Sequence, residues 1–165
     1  MIVENKSGRS AIKADCVIDC TGDADICQLS GAPTALFPNR NPMAAWYYYL
    51  KDGDLQLNSL GARDDHRRCE RSVGMFSDWT KRGPVYELPF GALYHPSVPN
   101  LLTAGRCLSA ADDLWNVTRV IPVCAVSGEA AGTAAALGCD FPALDIAALQ
   151  ETLRAQGVRV HLDEL

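Results

Sequence analysis

The chain has 165 residues, 48% of them apolar and 21% charged, with 20 acidic against 15 basic residues and a formal net charge of −5. That is enough apolar material for one compact domain, and it excludes disordered, collagenous and heptad-repeat chains. The acidic balance disfavours nucleic acid as a partner, because holding a phosphate polyanion takes a basic face.

In chain order, Ile2-Val3-Glu4 and Ala11-Ile12-Lys13 read as two strands of a hairpin, turned by Asn5-Lys6-Ser7-Gly8. Cys16-Val17-Ile18-Asp19-Cys20 is a nearly continuous apolar run, the pattern of a strand buried on both faces. It ends at Thr21-Gly22-Asp23, where Asp23 is placed to cap a helix over 24–30 that Gly31 and Pro33 terminate. Residues 34–60 are loop-rich apart from Ala44–Leu50, whose Trp46 and three tyrosines suit a strand. Residues 61–82 interleave six bases with four acids and read as a solvated helix. Tyr86-Glu87-Leu88-Pro89-Phe90 is an edge-type strand, since proline cannot donate to an interior ladder. Asn100–Arg106 is a second buried strand running into a glycine turn. Pro122–Leu137 is a helix stopped by Gly138, and a last amphipathic helix runs from an Asp145 cap to Gln156. A terminal strand is expected at Val158-Arg159-Val160.

The longest apolar run, Met43–Leu50, is far short of the ~20 residues that span a bilayer, so no membrane association is expected. Seven cysteines, odd in number and without a Cys-x-x-Cys pair, suit reduced thiols of a cytoplasmic protein. The opening residues show no secretory leader pattern.

Three places invite a ligand. Thr21-Gly22 and Ala104-Gly105 each end a buried strand in a small-residue turn, where a ligand can approach the backbone closely. The helix from Pro122 carries Cys124, Gly128, Gly132 and Ala136 at intervals of four, so one face is almost bare backbone. Such a face lets a helix pack tightly on a sheet, or lets a flat molecule lie close to its start. Arg119 stands just before that start, where the amides around Val123 and Cys124 and the helix dipole favour an anionic or electron-rich oxygen. A Gly-x-Gly-x-x-Gly phosphate fingerprint is missing from these residues.

Val17-Ile18-Asp19-Cys20-Thr21-Gly22-Asp23-Ala24-Asp25, Asn100–Ser109 and Arg119-Val120-Ile121-Pro122-Val123-Cys124-Ala125-Val126-Ser127-Gly128-Glu129-Ala130-Ala131-Gly132 together resemble the C-terminal part of bacterial FAD-dependent oxidoreductases of the two-dinucleotide-binding-domain type. The resemblance covers about residues 10–160. It implies a single α/β unit over 1–165, with a partial parallel, Rossmann-like FAD-binding sheet, helices and a β-rich substrate-side insertion over 34–100. It implies FAD as cofactor, bound weakly or not at all by this chain alone, and hydride transfer to or from a small organic substrate. Thr21 and Gly22 would then lie near the adenosine end of FAD. Ala104, Gly105 and Arg106 would lie near the ribityl and pyrophosphate, and Arg119, Val123 and Cys124 near the flavin pyrimidine edge. The family's Gly-rich nucleotide-binding segment has no match in these residues. The chain is therefore expected to be inactive alone and to act as a homo-oligomer or with a complementary N-terminal chain. The alternative is a non-catalytic remnant or interaction subunit completed by such a chain. Where the family pattern leads one to expect small residues and a histidine, this sequence has Asp112-Asp113-Leu114-Trp115-Asn116, and that Trp can fill space above a flavin.

Other chemistry is thin. No catalytic residue is singled out and no metal site is expected, since His66, His95 and His161 lack ligand spacing and suit structural or solvent-facing roles. Cys107 and Cys124 are read as small buried hydrophobes, with a redox thiol as the sharper alternative. Asp112 and Asp113 are adjacent and so point apart, as in a capped loop.

Overall fold

A computed structural model describes residues 1–34, 68–79, 82–110 and 114–165 in full, and the backbone of 48–51 and 54–57. The expected strand residues 44–47, His66, Asp112 and Asp113 lie outside these, as does much of the expected helix over 61–82.

The chain opens with the antiparallel hairpin of β1 (Ile2–Asn5) and β2 (Gly8–Ala11). The second strand starts three residues earlier than expected, because a two-residue turn with Gly8 at φ +104° brings Gly8 directly opposite Asn5. β3 (Val17–Asp19) is followed by α1 (Asp25–Leu29). β4 (Tyr48–Lys51) and β5 (Asp54–Leu57) form a second hairpin, and β6 (Ser72–Ser77) and β7 (Val85–Pro89) a third. A short 3₁₀ turn at Phe90–Leu93 leads to β8 (Leu101–Thr103), and α2 (Leu114–Thr118), α3 (Ile121–Leu137) and α4 (Ile146–Ala155) complete the order.

β3 pairs in parallel with β8, Val17 opposite Leu101 and Asp19 opposite Thr103. Their carboxyl ends therefore lie side by side, which is what the two glycine turns required. β3 is shorter than expected, and Val17 and Ile18 are half-buried rather than covered on both faces.

The solvated helix expected over 61–82 is overturned where the chain is described: Ser72–Ser77 is a strand with Val73 and Phe76 buried. Pairing with β7 decides it. Phe76 stacks on Tyr86 with ring centroids 5.5 Å apart, and the hairpin lies against α3. Gly74 makes that approach possible, since a Cβ there would sit 2.4 Å from Val126 Cγ1 of α3. Among the described residues, Phe90, Leu102, Val123, Ala130, Phe141 and Leu149 belong to the larger of two buried clusters, which joins β6, β7 and β8 to α3 and α4.

α4 is the amphipathic helix expected, with Leu149 and Leu153 buried and Asp145 Oδ1 accepting from the Ala147 and Ala148 amides at 2.9 and 3.2 Å. The terminal strand is not formed. Side chains take up the backbone groups instead: the Val160 amide donates to Glu164 Oε2 at 2.9 Å, and Leu162–Glu164 closes in a 3₁₀ turn. The buried Glu87 carboxylate fastens this end, accepting from the Cys69 amide at 2.6 Å and the Leu162 amide at 3.0 Å, with His161 Nδ1 at 3.2 Å. Burial alone would raise Glu87, but those amides and His161 hold it below the usual carboxylate range. His161 is thus structural, and His95, hydrogen-bonded to Ser97 Oγ at 2.8 Å, is exposed in a turn.

Among the described residues no helix is long and apolar enough to cross a membrane. Nor is any group of three or more His, Cys, Asp or Glu side chains placed there to hold a metal ion.

Candidate functional site

The carboxyl ends of β3 and β8 meet the start of α3, and every candidate residue lies along that line. The first turn is organised by Asp19, which is 1% exposed. Its Oδ1 accepts from the Thr21 amide at 3.0 Å and from Thr21 Oγ1 at 2.7 Å, and its Oδ2 accepts from the Cys27 amide at 2.9 Å. Thr21 Oγ1 in turn accepts from the Asp25 amide at 3.0 Å. These two side chains, and not Asp23, satisfy the free amides of α1; the capping position is Ala24, at φ 58°, and Asp23 points to solvent. Burial pushes Asp19 up, but the Thr21 and Cys27 groups outweigh it and hold the carboxylate below its usual range. The Cys27 thiol is pushed up to about 12, first by burial and then by the Asp19 carboxylate, so it stays protonated.

The second turn is locked to the first. The Ala104 amide donates to the Asp19 carbonyl at 2.9 Å, and the Gly22 amide donates to Cys107 Sγ at 3.0 Å. Cys107 is half-buried and holds a polar contact, so it is not an inert hydrophobe. Gly22, at φ +92°, serves a neighbouring side chain: a Cβ there would lie 2.5 Å from Arg106 Nη2. The Arg106 guanidinium therefore lies against the first turn, and among the described residues the exposed Asp23 carboxylate is the one near it, at 3.9 Å.

The third piece is the start of α3. Gly105, at φ +66°, donates its amide to Ser127 Oγ at 2.9 Å, and Ser127 donates to the Val123 carbonyl at 2.8 Å. Cys124 faces Gly105 across the gap, its Sγ 3.6 Å from where a Gly105 Cβ would be. One expectation is corrected here. The Cys124 amide donates to the Val120 carbonyl at 3.0 Å, which leaves the Ile121 and Val123 N–H groups as the ones a helix start does not pair internally. Arg119 stacks over Trp115 of α2 at 5.0 Å from the ring centroid, and among the described residues its buried Nε has no hydrogen-bond partner. Burial and the nearby Arg106 both push the Arg119 guanidinium down. Two guanidiniums thus face one region with no carboxylate close to Arg119 among the described residues. That is the donor set an anionic, amide-seeking ligand asks for.

The family model described as FAD dependent oxidoreductase matches residues 1–43 and 61–153, well over half of the chain. The chain belongs to the FAD-dependent oxidoreductase family. No curated protein and no solved structure matches it. The residues singled out from the sequence, both glycine turns, Arg106, Arg119 and the start of α3, are brought together by the structure. Sequence reading missed Asp19, Ser127 and the polar role of Cys107. Only Asp19 left a signal, a lone acid inside an apolar strand.

Proposed function

We propose that this chain forms the FAD-contacting and substrate-side portion of an oxidoreductase that moves a hydride between flavin and a small organic substrate. We further propose that it does so with a Gly-rich nucleotide-binding segment, in its own subunit or a complementary chain. The reading rests most on one observation: two strand-end glycine turns and a helix start converge with two guanidiniums, of which Arg106 has only a loose, exposed contact to Asp23 and Arg119 has no carboxylate close to it among the described residues. Thr21 and Gly22 would flank the adenosine end, with Asp19 holding their turn rigid. Ala104 and Gly105 would let the ribityl chain approach, and Arg106 would pair with the pyrophosphate. Arg119, Val123 and Cys124 would border the pyrimidine edge, where the guanidinium and the free first-turn amides favour negative charge. FAD, when bound, accepts or releases the hydride at its N5. Trp115 would wall the substrate side and limit the size of what enters.

Equilibrium dialysis tests this. The chain alone should take up FAD weakly or not at all, because helix starts of the Gly-rich type supply most amides to a pyrophosphate. Mixed with the family's Gly-rich segment it should yield a yellow complex. Sub-micromolar FAD binding by the chain alone would overturn the need for that segment, and a colourless mixture would overturn the assignment.

A further inference from the structure

The feet of the two elements that carry the site are as closely tied as its rim. Cys16 immediately precedes β3, and Cys139 follows Gly138 at the end of α3. Both neighbours of Cys16 are bound to Asn100, the Val17 amide donating to the Asn100 carbonyl at 3.0 Å and Asn100 Nδ2 donating to the Asp15 carbonyl at 3.0 Å. Two residues beyond Cys139, the Phe141 amide donates to the carbonyl of Pro99 at 2.9 Å. The adjacent Pro99 and Asn100 thus hold both cysteines at one corner, on the edge of the sheet away from the glycine turns. Each is half-buried, so each remains within reach of a small reagent.

We propose that Cys16 and Cys139 form a reversible disulfide that clamps the base of β3 to the base of α3. The reaction is exchange with a low-molecular-weight disulfide such as oxidised glutathione. One cysteine thiolate attacks a sulfur of that disulfide, forming a mixed disulfide and releasing one glutathione thiol. The second cysteine, losing its proton, attacks the protein sulfur of the mixed disulfide and releases the second glutathione. The protein loses two electrons and two protons, and one glutathione disulfide becomes two glutathione thiols. Burial pushes the Cys16 thiol up, and the adjacent Cys139 thiol and Asp15 push it further, which marks the two sulfurs as neighbours at this corner and makes Cys16 the slower nucleophile of the exchange. A cytoplasmic protein uses such pairs transiently, as sensors.

The bridge would close a loop of more than a hundred residues, which in the chain-entropy account raises the melting temperature by about 10 °C. The test is to incubate the full chain with glutathione buffers of graded potential and digest it on the aspartate side. Cleavage before aspartates frees Cys16 alone within Asp15–Ile18, so fragmentation of its cross-linked product names its partner. The expected result is a Cys16–Cys139 cross-link, a mass lower by two hydrogens, a higher melting temperature, and reversal by dithiothreitol. Cys16→Ser should abolish the cross-link and the temperature shift, and leave Cys139 to accept one glutathione. Recovery of Cys16 as free thiol or as a glutathione adduct at every potential would overturn the proposal, as would its appearance bridged to Cys20 or Cys107.

Discussion

α3 has a closed side and an open side, and they use small residues in opposite ways. On the closed side Val123, Ser127, Ala130, Ala131 and Ala134 are buried, and Gly74 of β6 lets the helix approach until Val126 occupies the place of a Cβ. On the other side lies the stripe of Cys124, Gly128, Gly132 and Ala136. Among the described residues a Cβ at Gly128 or Gly132 would meet nothing within 4 Å, and Gly132 and Ala136 are exposed. Of the two uses such a face allows, packing on the chain's own sheet is therefore not made at Gly128 and Gly132 by any described residue. Small residues signal that something comes close, but not what it is, and here the tight contact is made by a glycine on the strand.

The largest expected effect tests whether the turns at the strand ends are as firmly built as the closed side of α3. Asp19→Ala removes the acceptor of the buried Cys27 amide and of the part-buried Thr21 amide and hydroxyl, and should cost about 3 kcal/mol in a urea titration. A loss under about 1 kcal/mol would mean that the site-side turns are loosely held. The same carboxylate, with Glu87, sets an acid limit. Both have folded pKa values below the unfolded ones, so the unfolded chain takes up protons first as pH falls. Their stabilisation should be complete above about pH 5 and be lost as pH drops through the lowered values, readable as urea midpoints against pH.

Gly74→Ala should cost about 2 kcal/mol, because the branched Val126 side chain cannot swing away as the tip of a long chain can. Gly132→Ala should act in the other direction, stabilising the chain by up to about 1 kcal/mol through helix propensity. If both substitutions destabilise equally, the two sides of α3 do not differ as described. Gly132→Leu sharpens this further: it should leave the chain at least as stable, where overpacking would have cost about 1–3 kcal/mol.

What could be read from the sequence follows the range of the interactions concerned. α4 and its Asp145 cap were legible because the cap and the helix lie within four residues of each other. The two glycine turns were legible because a buried strand ending in Thr-Gly or Ala-Gly is a local pattern. β6 was not, since the interleaved bases and acids over 61–82 suggest a solvated helix, and pairing with Tyr86 and packing on Val126 make Ser72–Ser77 a strand. Asp23 looked like the cap of α1, yet Asp19 and Thr21 do that work across the turn. The short α2 was hidden for the same reason, its Asn116 carbonyl accepting from distant Trp79 Nε1 at 3.1 Å.

We propose that FAD lies at the strand-end site, from Gly22 through Arg106 to Arg119. The most direct measurement is FAD affinity of the protein assembled with its Gly-rich segment, taken beside the melting temperature of the free chain, for the wild type and Arg119→Ala. Losing a charge-assisted contact should weaken flavin binding by roughly tenfold or more. The melting temperature should hardly move, since the guanidinium stacks on Trp115 but its Nε makes no hydrogen bond within the described chain. Unchanged FAD affinity together with an unfolded or strongly destabilised chain would make Arg119 a structural cap and contradict the claim.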